Sequence, residues 1–190
     1  MKKLLVLFGS RSDVSSLAPV VKALRKFPEE FGVISALAGC QCDGLRQELS
    51  ALGIEVEHDL GFAEAEEMLF PVTVKVLNDM QEVLVQEMPD MLLVSGNTTA
   101  ALAGALAAYY QEIPAAHVGA GLRSHRKYDP FPKEMNGRLL AHLVDLHFVQ
   151  TERAKENLLR EGVSEQDIYV MREMEDAVSI VRSLRMWFQA

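Results

Sequence analysis

The sequence predicts an α/β protein: one doubly wound, mostly parallel sheet of about seven strands, with helices on both faces. Three observations carry this. Short apolar runs alternate with amphipathic segments along the whole chain. The central apolar runs are continuous rather than alternating, as strands covered on both faces must be. Residues 91–123 read as a complete βαβ unit: an apolar run (Met91, Leu92, Leu93, Val94), a polar turn, an Ala-rich helix over 100–112, a second run (Ala115, Ala116, His117, Val118) and a second turn. Its two turns leave the same carboxyl edge of the sheet, where open α/β proteins place their ligands.

The elements follow in order. Residues 4–9 form the first strand, and Gly9-Ser10-Arg11-Ser12-Asp13 its turn. A helix over 15–27 has Leu17, Val20, Val21 and Leu24 at helical spacing. The second strand, 33–37, leads into the turn 38–42. Asp43 reads as the N-cap of a helix to Leu52, with Gly53 as its stop. Residues 54–60 give a third strand, and 64–70 a helical turn. Pro71 fits a first helical position, and Val72, Val76, Met80, Val83 and Leu84 mark a long amphipathic helix to Glu87. After the central unit comes an irregular basic loop over 124–133. A helix over 134–144, a strand over 146–149, a Thr151-capped helix over 152–160 stopped by Gly162, and a strand over 168–170 follow. Residues 173–188 close the chain as a helix whose wide apolar stripe either folds back on the sheet or docks another chain.

Composition narrows the partners. The 190 residues suit one domain with a real core. Lys and Arg number 19 against 27 Asp and Glu, a net charge of −8 that argues against nucleic acid, which needs a basic face. No apolar run reaches the roughly 20 residues of a membrane helix, and the run after Lys3 ends in a strand-like turn rather than a cleavage site. The two cysteines, Cys40 and Cys42, are too close for an ordinary disulfide and too few for a metal site. They read as reduced thiols of a cytoplasmic protein. No metal or cofactor is expected.

Four stretches are candidates for chemistry. Gly9, Ser10 and Arg11 stand at a strand-to-helix junction, where backbone N–H groups and a guanidinium meet an anion; an ordinary turn with a surface arginine is the alternative. Ser95-Gly96-Asn97-Thr98-Thr99 offers small polar groups at a helix start, with Asn97 or Thr98 as cap. In His117-Val118-Gly119-Ala120-Gly121-Leu122-Arg123, two glycines permit close backbone approach, and His117 is either a site residue or a satisfied core histidine. Arg123, Arg126, Lys127, Lys133 and Arg138 place five cations beside the ligand edge, suited to phosphate or simply solvated. The turns after strands one, four and five hold a single acid, Asp13, so no acid–base pair, nucleophile elbow or P-loop is evident.

At these residues the sequence resembles the N-terminal half of the non-hydrolysing UDP-N-acetylglucosamine 2-epimerases, enzymes with a glycosyltransferase-B-like fold of two Rossmann-like domains. The resemblance rests on Phe8-Gly9-Ser10-Arg11 with Ala18-Pro19, on Val94-Ser95-Gly96-Asn97-Thr98-Thr99, on Ile113-Pro114-Ala115-Ala116 running through His117-Val118-Gly119-Ala120-Gly121-Leu122-Arg123-Ser124, on Pro130-Phe131-Pro132-Lys133-Glu134-Met135-Asn136-x-Arg138, and on Asn157-Leu158-Leu159-Arg160-Glu161-Gly162. It runs in order from Lys3 to about Val170. The family eliminates UDP from C1 as a proton leaves C2, then returns it on the other face. The resemblance implies no cofactor, and UDP or UDP-sugar contacts at Gly9, Arg11, Gly96, Thr98, His117, Gly121 and Arg123.

The same alignment implies departures. The family's G-D-T carries Asn97 for its aspartate, H-V-E-A-G-L-R carries Gly119 for its glutamate, and P-E-E carries Lys133 for its first glutamate while Glu134 keeps the second. T-G-Q-H reads Ala38-Gly39-Cys40-Gln41, without the histidine; R-P-E reads Arg11-Ser12-Asp13, keeping an acid. Asp13, Asn97, Gly119, Lys133 and Glu134 are therefore vestigial catalytic positions. The expected division is a nucleotide-sugar-binding domain over 1–170 and a C-terminal amphipathic helix over 171–190, with the family's second domain missing. The leading expectation is a half-domain that binds UDP or a UDP-sugar weakly and is not catalytically competent alone. The alternatives are one subunit of a split epimerase, whose partner chain carries the other domain, and a structural, self-associating domain. A homo-oligomer or such a partner chain is expected, and neither nucleic acid nor a membrane.

Overall fold

The computed structural model describes residues 1–38, 42–61, 69–171 and 177–189. Within them the chain runs β1 (Lys2–Phe8), α1 (Arg11–Leu24), β2 (Phe31–Leu37), α2 (Cys42–Ala51), β3 (His58–Asp59), α3 (Leu69–Glu87), β4 (Met91–Ser95), α4 (Thr99–Tyr110), β5 (Ala115–Val118), α5 (Lys133–Leu143), β6 (Leu146–Val149), α6 (Glu152–Arg160), a 3-10 turn at Glu165–Asp167, β7 (Ile168–Val170) and α7 (Ala177–Gln189). All strands are parallel, in the order β3-β2-β1-β4-β5-β6-β7. The order reverses between β1 and β4, and a crevice opens there beyond the carboxyl ends of the strands.

Continuous apolarity in β1 is explained by two cores. Leu4, Val6 and Phe8 point into one, filled by α1, α2 and α7; Leu5 and Leu7 point into the other, under α3 and α4. Successive side chains leave opposite faces of a strand, so a strand sandwiched by helices needs apolar residues at every position. The last helix folds back on the sheet: Ala177, Ile180, Val181 and Leu184 are buried in the first core, with Trp187 and Phe188 against it. No described helix is long and apolar enough to cross a membrane.

The structure corrects several predicted boundaries. The first helix starts at Arg11, not residue 15, because Ser10 adopts extended geometry and caps it. Asp43 is not an N-cap, since α2 already begins at Cys42. The third strand keeps only two residues of the predicted 54–60: Glu57 Oε2 accepts the Ser35 N–H at 2.7 Å, so a side chain replaces the backbone acceptor and the ladder stops. Pro71 is third in α3, still in the first turn, where its missing N–H is harmless. The helix over 134–144 runs from Lys133 to Leu143. The thiol reading of Cys40, the side chain of Cys42, most of the turn over 64–70 and the start of the last helix lie outside the described residues.

Candidate functional site

One wall of the crevice is made by the turns after β1 and β4. They touch: a Cβ on Gly9 would stand 2.9 Å from Ala100 Cβ and 3.3 Å from Thr98 Oγ1. Only glycine admits so close an approach. Ser10 caps α1 by accepting from the Asp13 N–H, and Thr98 caps α4 by accepting from the Ala101 N–H at 3.1 Å. The positive ends of two helices therefore open on the same crevice. Arg11 is exposed, with no hydrogen bond or ion pair to another described residue; its Nη2 lies 3.3 Å from where a Cβ on Gly44 would be, over the start of α2.

Beneath these turns lies Asp13, 1% exposed. Its Oδ2 accepts the Gly9 N–H at 2.9 Å, while Oδ1 has no partner and lies 3.2 Å from where a Cβ on Gly96 would be. Burial raises its pKa to about 6, against the hydrogen bonds of Gly9 and Ser10 and the charge of Lys133.

The opposite wall starts at the β5 turn. His117 is buried in the strand, and its Nε2 lies 2.7 Å from Gly96 O. Burial holds its pKa near 3, so the ring is neutral and donates its Nε2–H to that carbonyl, tying the β4 turn to β5. Gly119 and Gly121 share a left-handed φ of 78° and 79°. A Cβ on Gly119 meets nothing within 4 Å, so the place where the family motif carries a glutamate is open space. A Cβ on Gly121 would lie 2.3 Å from Ala154 O. The close approach at Gly121, predicted for a ligand, is made to α6, and Asn157 Nδ2 donates to Gly121 O at 2.9 Å.

The predicted cation cluster is largely committed within the protein. The Arg123 side chain is wholly buried and donates to both oxygens of Glu161, at 2.9 and 2.7 Å, and to Gly137 O at 3.0 Å. Arg126 pairs with Asp129, Arg138 with Glu134, and Lys127 lies over the Tyr128 ring. Lys133 remains, exposed, its charge acting on Asp13. Glu134 is 2% exposed and accepts from Ser124 N, Ser124 Oγ, His125 N and Arg138 Nε, between 2.7 and 3.2 Å. Burial pushes its pKa up, but these donors outweigh burial and leave it below the ordinary carboxylate value. Asn97 faces α5: its side-chain atoms lie 2.9–3.0 Å from where a Cβ on Gly137 would be, and Asn136 Nδ2 donates to its carbonyl at 3.1 Å.

Sequence reasoning missed the burial of Asp13, the clamp formed by Glu134, and His147. His147 is buried beside His117 in the β5–β6 ladder, with no partner on Nδ1, and burial lowers its pKa to about 4. Ser10-x-x-Asp13 fits the capping-box spacing and was the available signal for the first. Among the described residues no three His, Cys, Asp or Glu are grouped to hold a metal.

Comparison with known proteins places this edge in context. The family model for UDP-N-acetylglucosamine 2-epimerase matches residues 30–183. The UDP-N-acetylglucosamine 2-epimerase of Bacillus subtilis is 39% identical over 172 residues, 90% of this chain and 45% of that protein; the Escherichia coli K12 enzyme is 38% identical over 168 residues, 88% and 44%. A crystal structure of the Neisseria meningitidis UDP-GlcNAc 2-epimerase bound to UDP-GlcNAc superposes with a TM-score of 0.86 at 34% identity, over 96% of this chain and 50% of that one. Staphylococcus aureus MnaA with UDP gives 0.86 at 37%, over 94% and 47%. The chain spans about half the length of the curated relatives it matches, and its sheet is the Rossmann-like half of their glycosyltransferase-B-like fold. By sequence and by fold, the chain belongs to the UDP-N-acetylglucosamine 2-epimerase family.

Proposed function

We propose that this chain binds UDP or a UDP-sugar at the β1/β4 edge and does not by itself epimerise the sugar. Two capped helix N-termini, the uncommitted Arg11 and the exposed Lys133 surround that edge. Such groups suit the negative charge of a diphosphate. Two of these relatives have structures with UDP-GlcNAc or UDP.

The observation that carries the second half of the reading is the fate of the acids. Epimerisation at C2 requires groups that take and return a proton at carbon. Asn97 cannot accept one, Gly119 has no side chain, and Lys133 is a cation. The two carboxylates left at motif positions, Asp13 and Glu134, are both buried under hydrogen-bonded turns. The loss of residues that act as a unit costs several powers of ten in rate.

Calorimetry with UDP and UDP-N-acetylglucosamine tests the binding. Saturable uptake, weakened roughly tenfold or more in Arg11→Ala, is expected for a lost charge-assisted contact to phosphate. No heat at millimolar ligand overturns it. Chromatography of the UDP-N-acetylglucosamine incubated with the protein tests the rest, and appearance of the manno epimer overturns it. A second reading, in which a separate chain supplies the remaining half of a split epimerase, is favoured only by the half-length coverage. It predicts turnover on adding a chain with the second Rossmann-like domain. On the triple restoration Asn97→Asp, Gly119→Glu and Lys133→Glu, turnover by the chain alone would assign the defect to the acids.

A further inference from the structure

The nucleotide crevice lies beyond the carboxyl ends of the strands; a second cavity opens at their amino ends. It is a space of about 380 Å³ between the turn that enters β6 and the turn that enters β7, closed on one side by the end of α7. Asp145 comes from the first turn, Asp167 from the second, His142 from the end of α5, His147 from β6 and Trp187 from α7. Val163 adds an apolar wall. The volume is that of a site for a small ligand.

The cavity is distinguished by polar capacity left unused. Asp145 is held in place: its backbone N–H donates to Ala115 O and its Oδ2 accepts the Ala115 N–H, both at 2.8 Å. Neither Asp145 nor Asp167 forms an ion pair with a described residue, and among the described residues the lining contains no Lys or Arg. The neighbouring acids are spoken for, Glu161 by Arg123 and Glu165 by Lys155. His147 is 1% exposed, and its Nδ1 has no partner. Such an atom is already stripped of water, so a partner brought by a ligand is gained without that cost. Burial, with the charges of Arg123 and His142, holds the His147 pKa at about 4, so the ring is neutral and offers a lone pair as well as an N–H.

These groups agree on one ligand chemistry. Two unpaired carboxylates repel an anion and attract a cation. A neutral imidazole accepts from an ammonium N–H. The face of an indole ring attracts a cation, and Val163 covers a short hydrocarbon.

We propose that the cavity between the entries to β6 and β7 binds a small aliphatic amine, its ammonium held by Asp145 and Asp167 with His147 as acceptor, and its carbon chain against Trp187 and Val163. The site lies at the edge of the sheet opposite the nucleotide crevice and stands independently of the nucleotide reading.

Trp187 is the chain's single tryptophan, so its fluorescence reports on this cavity alone. At fixed ionic strength, diaminobutane should give a saturable change and butanediol, its uncharged counterpart, none. Asp167→Asn keeps the shape and removes one charge; it should weaken the amine about tenfold or more and leave UDP calorimetry unchanged. Glu165→Gln, beside the cavity but outside its lining, should change amine affinity less than about twofold, as exposed charges do. In long-range proton–nitrogen spectra, the ring nitrogens of His147 should shift with the amine, and those of exposed His125 should not. A cavity that holds only water gives no saturation at millimolar diaminobutane, and that overturns the proposal. So does equal binding of butanediol, equal weakening by Asp167→Asn and Glu165→Gln, or a His147 ring that does not shift.

Discussion

The wall made by the β1 and β4 turns and the wall made by the β5 turn and its loop each hold an arginine and a buried carboxylate. In the second wall Arg123 grips Glu161, and Glu134 collects four donors. In the first, Arg11 has no partner among the described residues and one oxygen of Asp13 has none. Desolvation pushes both carboxyls upward, yet their pKa values move in opposite directions. Deep burial wins at Asp13, whereas at Glu134 the Ser124 donors and the Arg138 cation at bonding distance outweigh it. Charge that is satisfied internally fixes shape; charge left over is available to a ligand.

Breaking the second wall should have the largest effects. Gly121→Ala adds a methyl onto the Ala154 carbonyl at a φ that disfavours any L side chain, and should cost about 4 kcal/mol in urea unfolding. Gly119→Ala, with the same φ and open space around it, should cost about 1 kcal/mol, which separates crowding from strain. Equal losses at both positions would mean that the contact with α6 is not the cause. Arg123→Ala should follow at about 3 kcal/mol, since it leaves Glu161 partly buried without its partner. A loss below 1 kcal/mol would show that the pair does not hold the wall.

The two carboxyls should then separate by pH. The folded pKa of Asp13 stands about two above its ordinary 3.8, so the folded state binds the proton more tightly. Stability should therefore fall by about 3 kcal/mol as pH rises from about 4 to about 6, and Asp13→Asn should remove that slope. Glu134 has the opposite sign: its contribution is complete above 4.5 and is lost as pH falls below it, so Glu134→Gln should flatten the acid limb only. If Asp13→Asn leaves the slope between pH 4 and 6 unchanged, Asp13 is not the group responsible. The smallest effect belongs to Arg11→Ala, within about 0.5 kcal/mol of wild type in the absence of ligand, because the side chain is exposed and unpaired.

The fold was legible because its signals are local. Continuous apolar runs, caps such as Thr98 and Thr151, and stops such as Gly162 each lie within a few residues of what they determine. Predicted boundaries failed where a side chain took a backbone role, as Ser10 does at α1 and Glu57 does beside β2. The site was legible in outline, since turns at the carboxyl edge follow from the topology. Its chemistry was not, because the partners are distant in sequence. Arg123 and Glu161 are 38 residues apart, and nothing near Arg123 announces that its guanidinium is already taken. The burial of Asp13 depends on α4 closing over Gly9, a contact between residues 9 and 100.

The bond from His117 to the Gly96 carbonyl has a consequence for how the edge meets a change of acidity. An imidazole that stays neutral down to about pH 3 keeps its hydrogen bond through the whole range in which Asp13 gains or loses its proton. Mild acidification therefore alters the electrical character of the cleft floor and leaves its contour in place: the mould is constant while its polarity is adjustable.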